Sequence, residues 1–127
     1  MTEYFLDTYA LIEYLKGNKK FMEIMDNAQN QVTTLLNRME LYKFCLVEVG
    51  KEKADEYFET FKHLEVQLNE SIVKKAVEKK LELNKEKKNV SYVDAIGYAI
   101  ALENNLKFLT GDKAFKGLPN VEYIATF

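Results

Sequence analysis

The chain has 127 residues, 47% of them apolar, and a formal charge of −2 from 18 basic and 20 acidic side chains. That composition excludes global disorder and a protein that coats nucleic acid by bulk positive charge. No apolar run approaches the ~20 residues of a membrane span, so no membrane segment is expected.

Residues 3–7 read as a short buried strand, Glu-Tyr-Phe-Leu, ending in Asp7. Helical spacing follows over 8–16, with Leu11, Ile12 and Leu15 on one side and Gly17 as a stop. A second helix is predicted over 19–28 from Phe21, Ile24, Met25 and Ala28. A β-rich stretch at 31–34 gives a second strand. Helices follow over 35–49, stopping at Gly50, and over 51–63, the latter with Ala54, Tyr57, Phe58 and Phe61 inward. Alternation over 64–68 predicts a further short strand. A charged helix is expected over 71–86, with Ile72, Val73, Ala76, Val77 and Leu81 facing inward. The most apolar helix covers 91–104. Strands at 106–110 and 121–124 complete the order.

Short strands separated by helices predict a parallel sheet covered on both faces, within one domain spanning 1–127. The lone Cys45 cannot form an internal disulfide and falls among helical apolar residues, as a small core side chain would. With no basic segment and hydrophobic stretch at the N-terminus, the expected compartment is the cytoplasm.

Four carboxylates stand in apolar or structured contexts: Asp7 after the first strand, Glu40 within an apolar helix, Asp94 in the first turn of the last helix, and Asp112 after a strand in Thr-Gly-Asp. Burying such groups costs free energy unless they are paired, and a divalent cation is a ready partner for several at once. Each also has a local explanation. Asp7 suits a helix N-cap. Ser91-x-x-Asp94 fits a capping box. Asp112 suits a turn or the cap of a short segment. Glu40 resists such an explanation. Leu36, Phe44 and Val47 lie within roughly 40° of it on the helix surface, so it should be at least partly buried. An ion pair to Arg38 or Lys43 would require side chains that leave the helix in other directions. In an open α/β sheet the functional crevice lies beyond the carboxyl ends of the strands, where Asp7 and Asp112 fall and where the Asp94 helix should begin.

Other chemistries find little support. His63 is the only histidine, no Cys/His spacing makes a zinc site, and the five glycines form no phosphate loop. Setting aside the four acids leaves a slightly positive remainder, which permits a polyanionic substrate.

The four acids, in this order and these contexts, resemble the PIN-domain nucleases across the whole chain. The likeness is closest to the VapBC-type toxins and their archaeal relatives. Phe5-Leu6-Asp7-Thr8 resembles the family's opening strand and acid, and Glu40-Leu41 its second motif. Ser91-Tyr-Val-Asp94-Ala95 resembles the third, and Phe108-Leu-Thr110-Gly-Asp112-Lys-Ala-Phe115 the fourth. Tyr9 stands where many members have Asn or Ser. The resemblance implies a three-layer α/β/α PIN-like fold with a mainly parallel sheet of four to five short strands. It implies an acidic pocket for Mg²⁺ or Mn²⁺ and hydrolysis of RNA phosphodiesters to leave 5′-phosphates. Asp7 and Asp94 would be the main metal ligands, with Glu40 and Asp112 orienting bound waters or holding a second ion. Thr8, Ser91 and Thr110 would support them as hydroxyls, and Lys113 and Lys116 flank the fourth motif near where phosphates would pass. Implied partners are an RNA substrate, a second copy of the chain and a small antitoxin. The alternatives are a PIN-fold module that binds RNA or protein without cutting, and an RNA-processing nuclease that is not a toxin.

Overall fold

The computed structural model describes residues 3–126. Strand β1 (Glu3–Leu6) leads into α1 (Thr8–Leu15) and α2 (Lys19–Asn27), then β2 (Asn30–Val32). Helices α3 (Leu35–Glu48) and α4 (Lys51–Thr60) follow, then a 3-10 turn at Lys62–Leu64. Next come α5 (Glu70–Lys85), α6 (Tyr92–Glu103), β3 (Lys107–Thr110), a second 3-10 turn at Lys113–Phe115, and β4 (Val121–Tyr123). The sheet has four strands in the order β2-β1-β3-β4, and every pairing is parallel.

Alternation along β1 divides the core into two layers. Tyr4 and Leu6 join Leu11, Phe21, Leu41 and Phe61 from α1 to α4 and the loop that follows. Phe5 turns to the opposite face, where it stacks on Phe108 at 5.8 Å and meets Ile72, Tyr98 and Ile100 of α5 and α6. The result is the three-layer α/β/α arrangement expected. Helix α6 lies close on the sheet because Gly97 has no side chain. A Cβ there would come within 2.4 Å of the Phe5 ring.

Two expectations fail. The 64–68 segment is not a strand. Only Thr33 pairs with it, donating to the Leu64 carbonyl and accepting from the Val66 N–H, a single bridge to Glu65. Leu64 packs in the first layer and Val66 in the second. Residues two apart in a strand share one face, so this segment is a crossing between layers rather than a fifth strand. On α5, Ile72 and Ala76 are buried, but Val73, Val77 and Leu81 are exposed. The core-facing row is Ile72, Ala76 and Leu83. Ala76 meets Ala95 and Ala99 of α6, and these small side chains let the two helices approach along one narrow row.

Smaller shifts occur at element ends. Thr34, expected in β2, instead caps α3, accepting from the Asn37 N–H. Helix α4 stops at Thr60, short of His63. Gly17 and Gly50 terminate α1 and α3 at positive φ, which a side chain would resist.

The chain leaves β1 for β2 on one side and returns to β3 on the other. In open α/β sheets, the crevice at such a reversal, beyond the strands' carboxyl ends, is the functional place. Here it lies past Leu6 and Leu109, which are paired in register.

Candidate active site

Asp7 enters this crevice as the N-cap of α1, its Oδ1 accepting from the Ala10 N–H at 2.8 Å. It is 2% exposed. Burial is the main cause that lifts its pKa to about 8. Repulsion from Asp94 and Asp112 adds to that, against hydrogen bonds from the Thr110 hydroxyl and Ala10 N–H.

Asp94 arrives on the first turn of α6. Ser91 Oγ accepts from the Asp94 N–H at 3.0 Å, and an Asp94 oxygen accepts from the Ser91 N–H at 3.4 Å, completing the capping box. Its pKa is also raised, chiefly by burial. Ser91 opposes the shift, and the charges of Asp112 and Glu40 reinforce it. Asp112 caps the short turn after β3, its Oδ1 accepting from the Ala114 N–H at 3.0 Å. Its own N–H donates to the buried Thr110 hydroxyl at 2.9 Å.

Glu40 is half-buried on α3, as its helical position predicts. Its stripe nevertheless runs outward, since Val47 is 75% exposed. Neither Arg38 nor Lys43 pairs with it in the described structure. Arg38 is itself buried, bonding Glu65 at 2.6 Å and the Phe58 carbonyl. Instead the Thr8 hydroxyl donates to Glu40 Oε1 at 2.5 Å. Thr8 accepts from the Asn37 amide at 3.1 Å, and Asn37 Oδ1 accepts from the Thr34 hydroxyl at 2.6 Å. A directed chain of donors thus ends on the Glu40 carboxylate. The sequence reading missed Asn37 and Thr34. The available signal was an amide one helical turn before Glu40.

The crevice therefore groups the four acids electrostatically: Asp7 feels Asp94 and Asp112, and Asp94 feels Asp112 and Glu40. The charges that act on Asp7 and Asp94 are all carboxylates. Among the described residues, no three His, Cys, Asp or Glu side chains form a ready-made cage for one ion. The donor set still suits a hard cation such as Mg²⁺, which keeps several waters and is held by one or two carboxylates.

Tyr9 closes one wall. Its ring packs against Gly111, where an added Cβ would come within 2.2 Å of it, and its hydroxyl shares a hydrogen bond with the Thr126 hydroxyl. Gly111 is thus small because Tyr9 is large. Lys113, the first residue of the turn after Asp112, is exposed.

A family model described as PIN domain matches residues 4–121. The chain belongs to the PIN-domain family. Solved PIN-type structures share its fold. A toxin-antitoxin complex from Klebsiella pneumoniae is 22% identical, with a TM-score of 0.71, covering 94% of this chain and 98% of that one. VapBC-1 of nontypeable Haemophilus influenzae is 20% identical at a TM-score of 0.73, covering 98% of each chain. VapC20 of Mycobacterium tuberculosis, a Sarcin-Ricin loop cleaving toxin, is 14% identical at 0.72, covering 97% of this chain and 98% of that one. No curated protein sequence matches the chain. Within this PIN-domain chain, no helix among the described residues is long and apolar enough to cross a membrane.

Proposed function

We propose that the chain is a Mg²⁺- or Mn²⁺-dependent endoribonuclease, the toxin of a toxin–antitoxin pair, acting in the cytoplasm as one PIN-like domain over residues 1–127. The observation that carries this reading is the convergence of Asp7 after β1, Asp112 after β3 and Asp94 at the start of α6, with Glu40 held by Thr8, so that Asp94 and Asp112 raise the pKa of Asp7 and Asp112 and Glu40 raise that of Asp94. Like charges held together cost stability, and a cation converts that cost into binding.

Asp7 and Asp94 would hold the cation, with Glu40 and Asp112 beside it. When bound, such an ion acidifies water and offsets charge on phosphoryl oxygens. In hydrolysis, a water oxygen attacks phosphorus and the 3′ oxygen departs as an alcohol, leaving a 5′-phosphate on the downstream fragment. The protein's own side chains prepare this step. Burial and the neighbouring carboxylates raise the Asp7 pKa to about 8, so a cation held there would compete with a proton. Thr8, held by Asn37, fixes one Glu40 oxygen and leaves the other free to orient a water. Ser91 and Thr110 hold Asp94 and Asp112 through backbone and hydroxyl contacts. Lys113 stands beside the fourth acid, where a phosphate could reach it.

Two surfaces suit the partners. On α3, Leu35, Met39, Tyr42, Leu46 and Val49 follow the 4-3-4-3 spacing of a coiled-coil seam, and all but Tyr42 are substantially exposed. An exposed apolar seam of this kind suits a homodimer, in which the same patch of each copy is buried. Two neighbouring cavities of about 370 and 460 Å³ share Phe44 and Glu48 as lining, one reaching Thr8 and Glu40 and the other Leu15 and Tyr57. An antitoxin segment seated there would cover Glu40, and a toxin-antitoxin complex shares this fold.

The test is cleavage of RNA with Mg²⁺ or Mn²⁺ by the wild type and by Asp7→Asn and Asp94→Asn. Loss of turnover in both variants supports the reading. Undiminished cleavage by both defeats it.

A further inference from the structure

Tyr92 stands out among the tyrosines near the acids. It begins α6, two residues before Asp94, so their Cα atoms lie within about 7 Å while the two side chains leave the helix in different directions. It is 60% exposed and joins none of the buried clusters among the described residues. Its ring is nonetheless held in place. The Lys80 ammonium lies 4.9 Å from the ring centroid, and the same ammonium donates to the Val90 carbonyl at the end of the loop that leads into α6. Lys80 is therefore anchored to backbone on one side and to an aromatic face on the other. A cation over one face of a ring leaves the opposite face available for stacking.

The capping box accounts for Ser91 and Asp94, and it uses no atom of the Tyr92 side chain. Lys80 adds positive charge at the ring, whereas the crevice itself is negative. A single RNA strand needs this division: an acidic centre for the scissile phosphate, and a flanking platform where a base can stack beside positive charge.

We propose that Tyr92, backed by Lys80, is the stacking platform for an unpaired base flanking the scissile phosphate of a single-stranded RNA. The inference rests on the nuclease reading of the acids. Tyr92 acts on substrate binding and not on the cation. Base–aromatic stacks tolerate any base because each has a π face, so the platform sets where the strand lies more than which sequence is cut.

The experiment is steady-state cleavage of a short single-stranded RNA by wild type, Tyr92→Phe and Tyr92→Ala, each with the intact oligonucleotide and with single abasic residues on either side of the cut. Tyr92→Ala is expected to raise KM about 5- to 100-fold, the range of one base–aromatic stack, with kcat largely kept, and Tyr92→Phe to match wild type. One abasic position should cost the wild type a similar factor and cost Tyr92→Ala nothing further. Three results overturn the proposal: equal KM for Tyr92→Ala and wild type, abasic losses of the same size in both, or a loss confined to kcat, which would mark a role in holding α6. A Tyr92→Ala protein that cleaves normally but escapes a proteinaceous inhibitor would overturn it in favour of a protein-docking role. Failure of the wild type to cleave any RNA with Mg²⁺ or Mn²⁺ would instead defeat the underlying nuclease reading, and this inference with it.

Discussion

Replacing Asp7 with Asn should stabilise the metal-free protein, by an amount that depends on pH in a defined way. Asp7 is buried, and its pKa is raised from 3.8 to about 8. The folded state therefore binds more protons than the unfolded state between those values, and the Asp7 contribution to stability falls as pH rises through that window. Below about pH 4 both states carry a neutral carboxyl, and the charge effect vanishes. Through the window the wild type loses up to about 1.4 kcal/mol per pH unit relative to the variant. The difference levels off above about pH 8, with an upper bound on the order of 6 kcal/mol. Asn is as good an N-cap as Asp and can accept from the Ala10 N–H, so the cap itself is retained. The assay is urea unfolding in EDTA from pH 4 to 9, comparing midpoints of wild type and Asp7→Asn. A stability difference that stays flat across this range would refute the reasoning, as would a variant less stable than wild type at pH 9. Saturating Mg²⁺ should narrow the difference, because a ligand at 100 times its Kd stabilises the folded state by about 2.7 kcal/mol and the variant has lost a main ligand.

Asp94→Asn should also raise the metal-free melting temperature, by less than the change at Asp7, because Asp94 is less buried and its capping box favours the charged form. A clear fall in melting temperature would show that the cap outweighs the repulsion. Arg38→Ala should destabilise the protein by about 3–5 kcal/mol in urea unfolding, since it strips Glu65 and the Phe58 carbonyl of their buried partner; a loss below 1 kcal/mol would mean the pair is dispensable. Gly111→Ala should cost about 1–3 kcal/mol by overpacking against the Tyr9 ring, and adding Tyr9→Ala should recover most of that overpacking cost. Additive losses in that double variant would show that the ring does not set the size of residue 111.

The sequence carried the fold where one periodicity met one environment. Tyr4, Phe5 and Leu6 alternate between two apolar layers, so β1 and the position of Asp7 could be read directly. The pattern misled where apolar residues were more numerous than the surface that buries them. On α5, Ile72 with Val73 and Ala76 with Val77 offer a wide stripe, yet α6 accepts only the row containing Ile72 and Ala76, because Ala95 and Ala99 bring the helices close along one line. Alternation at 64–68 looked like a strand because a chain passing from one layer to the other also places an apolar side chain every second residue. Only backbone pairing separates the two cases, and here it amounts to one bridge.

The four acids were legible one by one, but their relation was not. Local rules explain Asp7, Asp94 and Asp112 as caps, and all three do cap. The capping and the crowding are the same fact seen at two ranges. Parallel register sets Leu6 beside Leu109, so the helix after β1 and the turn after β3 must start side by side, and each start wants an acid. Capping uses one oxygen of each carboxylate on backbone N–H groups and holds the group still, while the accumulated charge goes uncompensated by any cap. Glu40 caps nothing. It is held in place by Thr8, itself the first residue of the helix that Asp7 caps, through a chain of hydrogen bonds reaching back to Asn37 and Thr34. Local helix chemistry explains why three of the acids sit where they do. The hydroxyl and amide spent on holding Glu40 have no such local explanation, and they point to a shared task for the set.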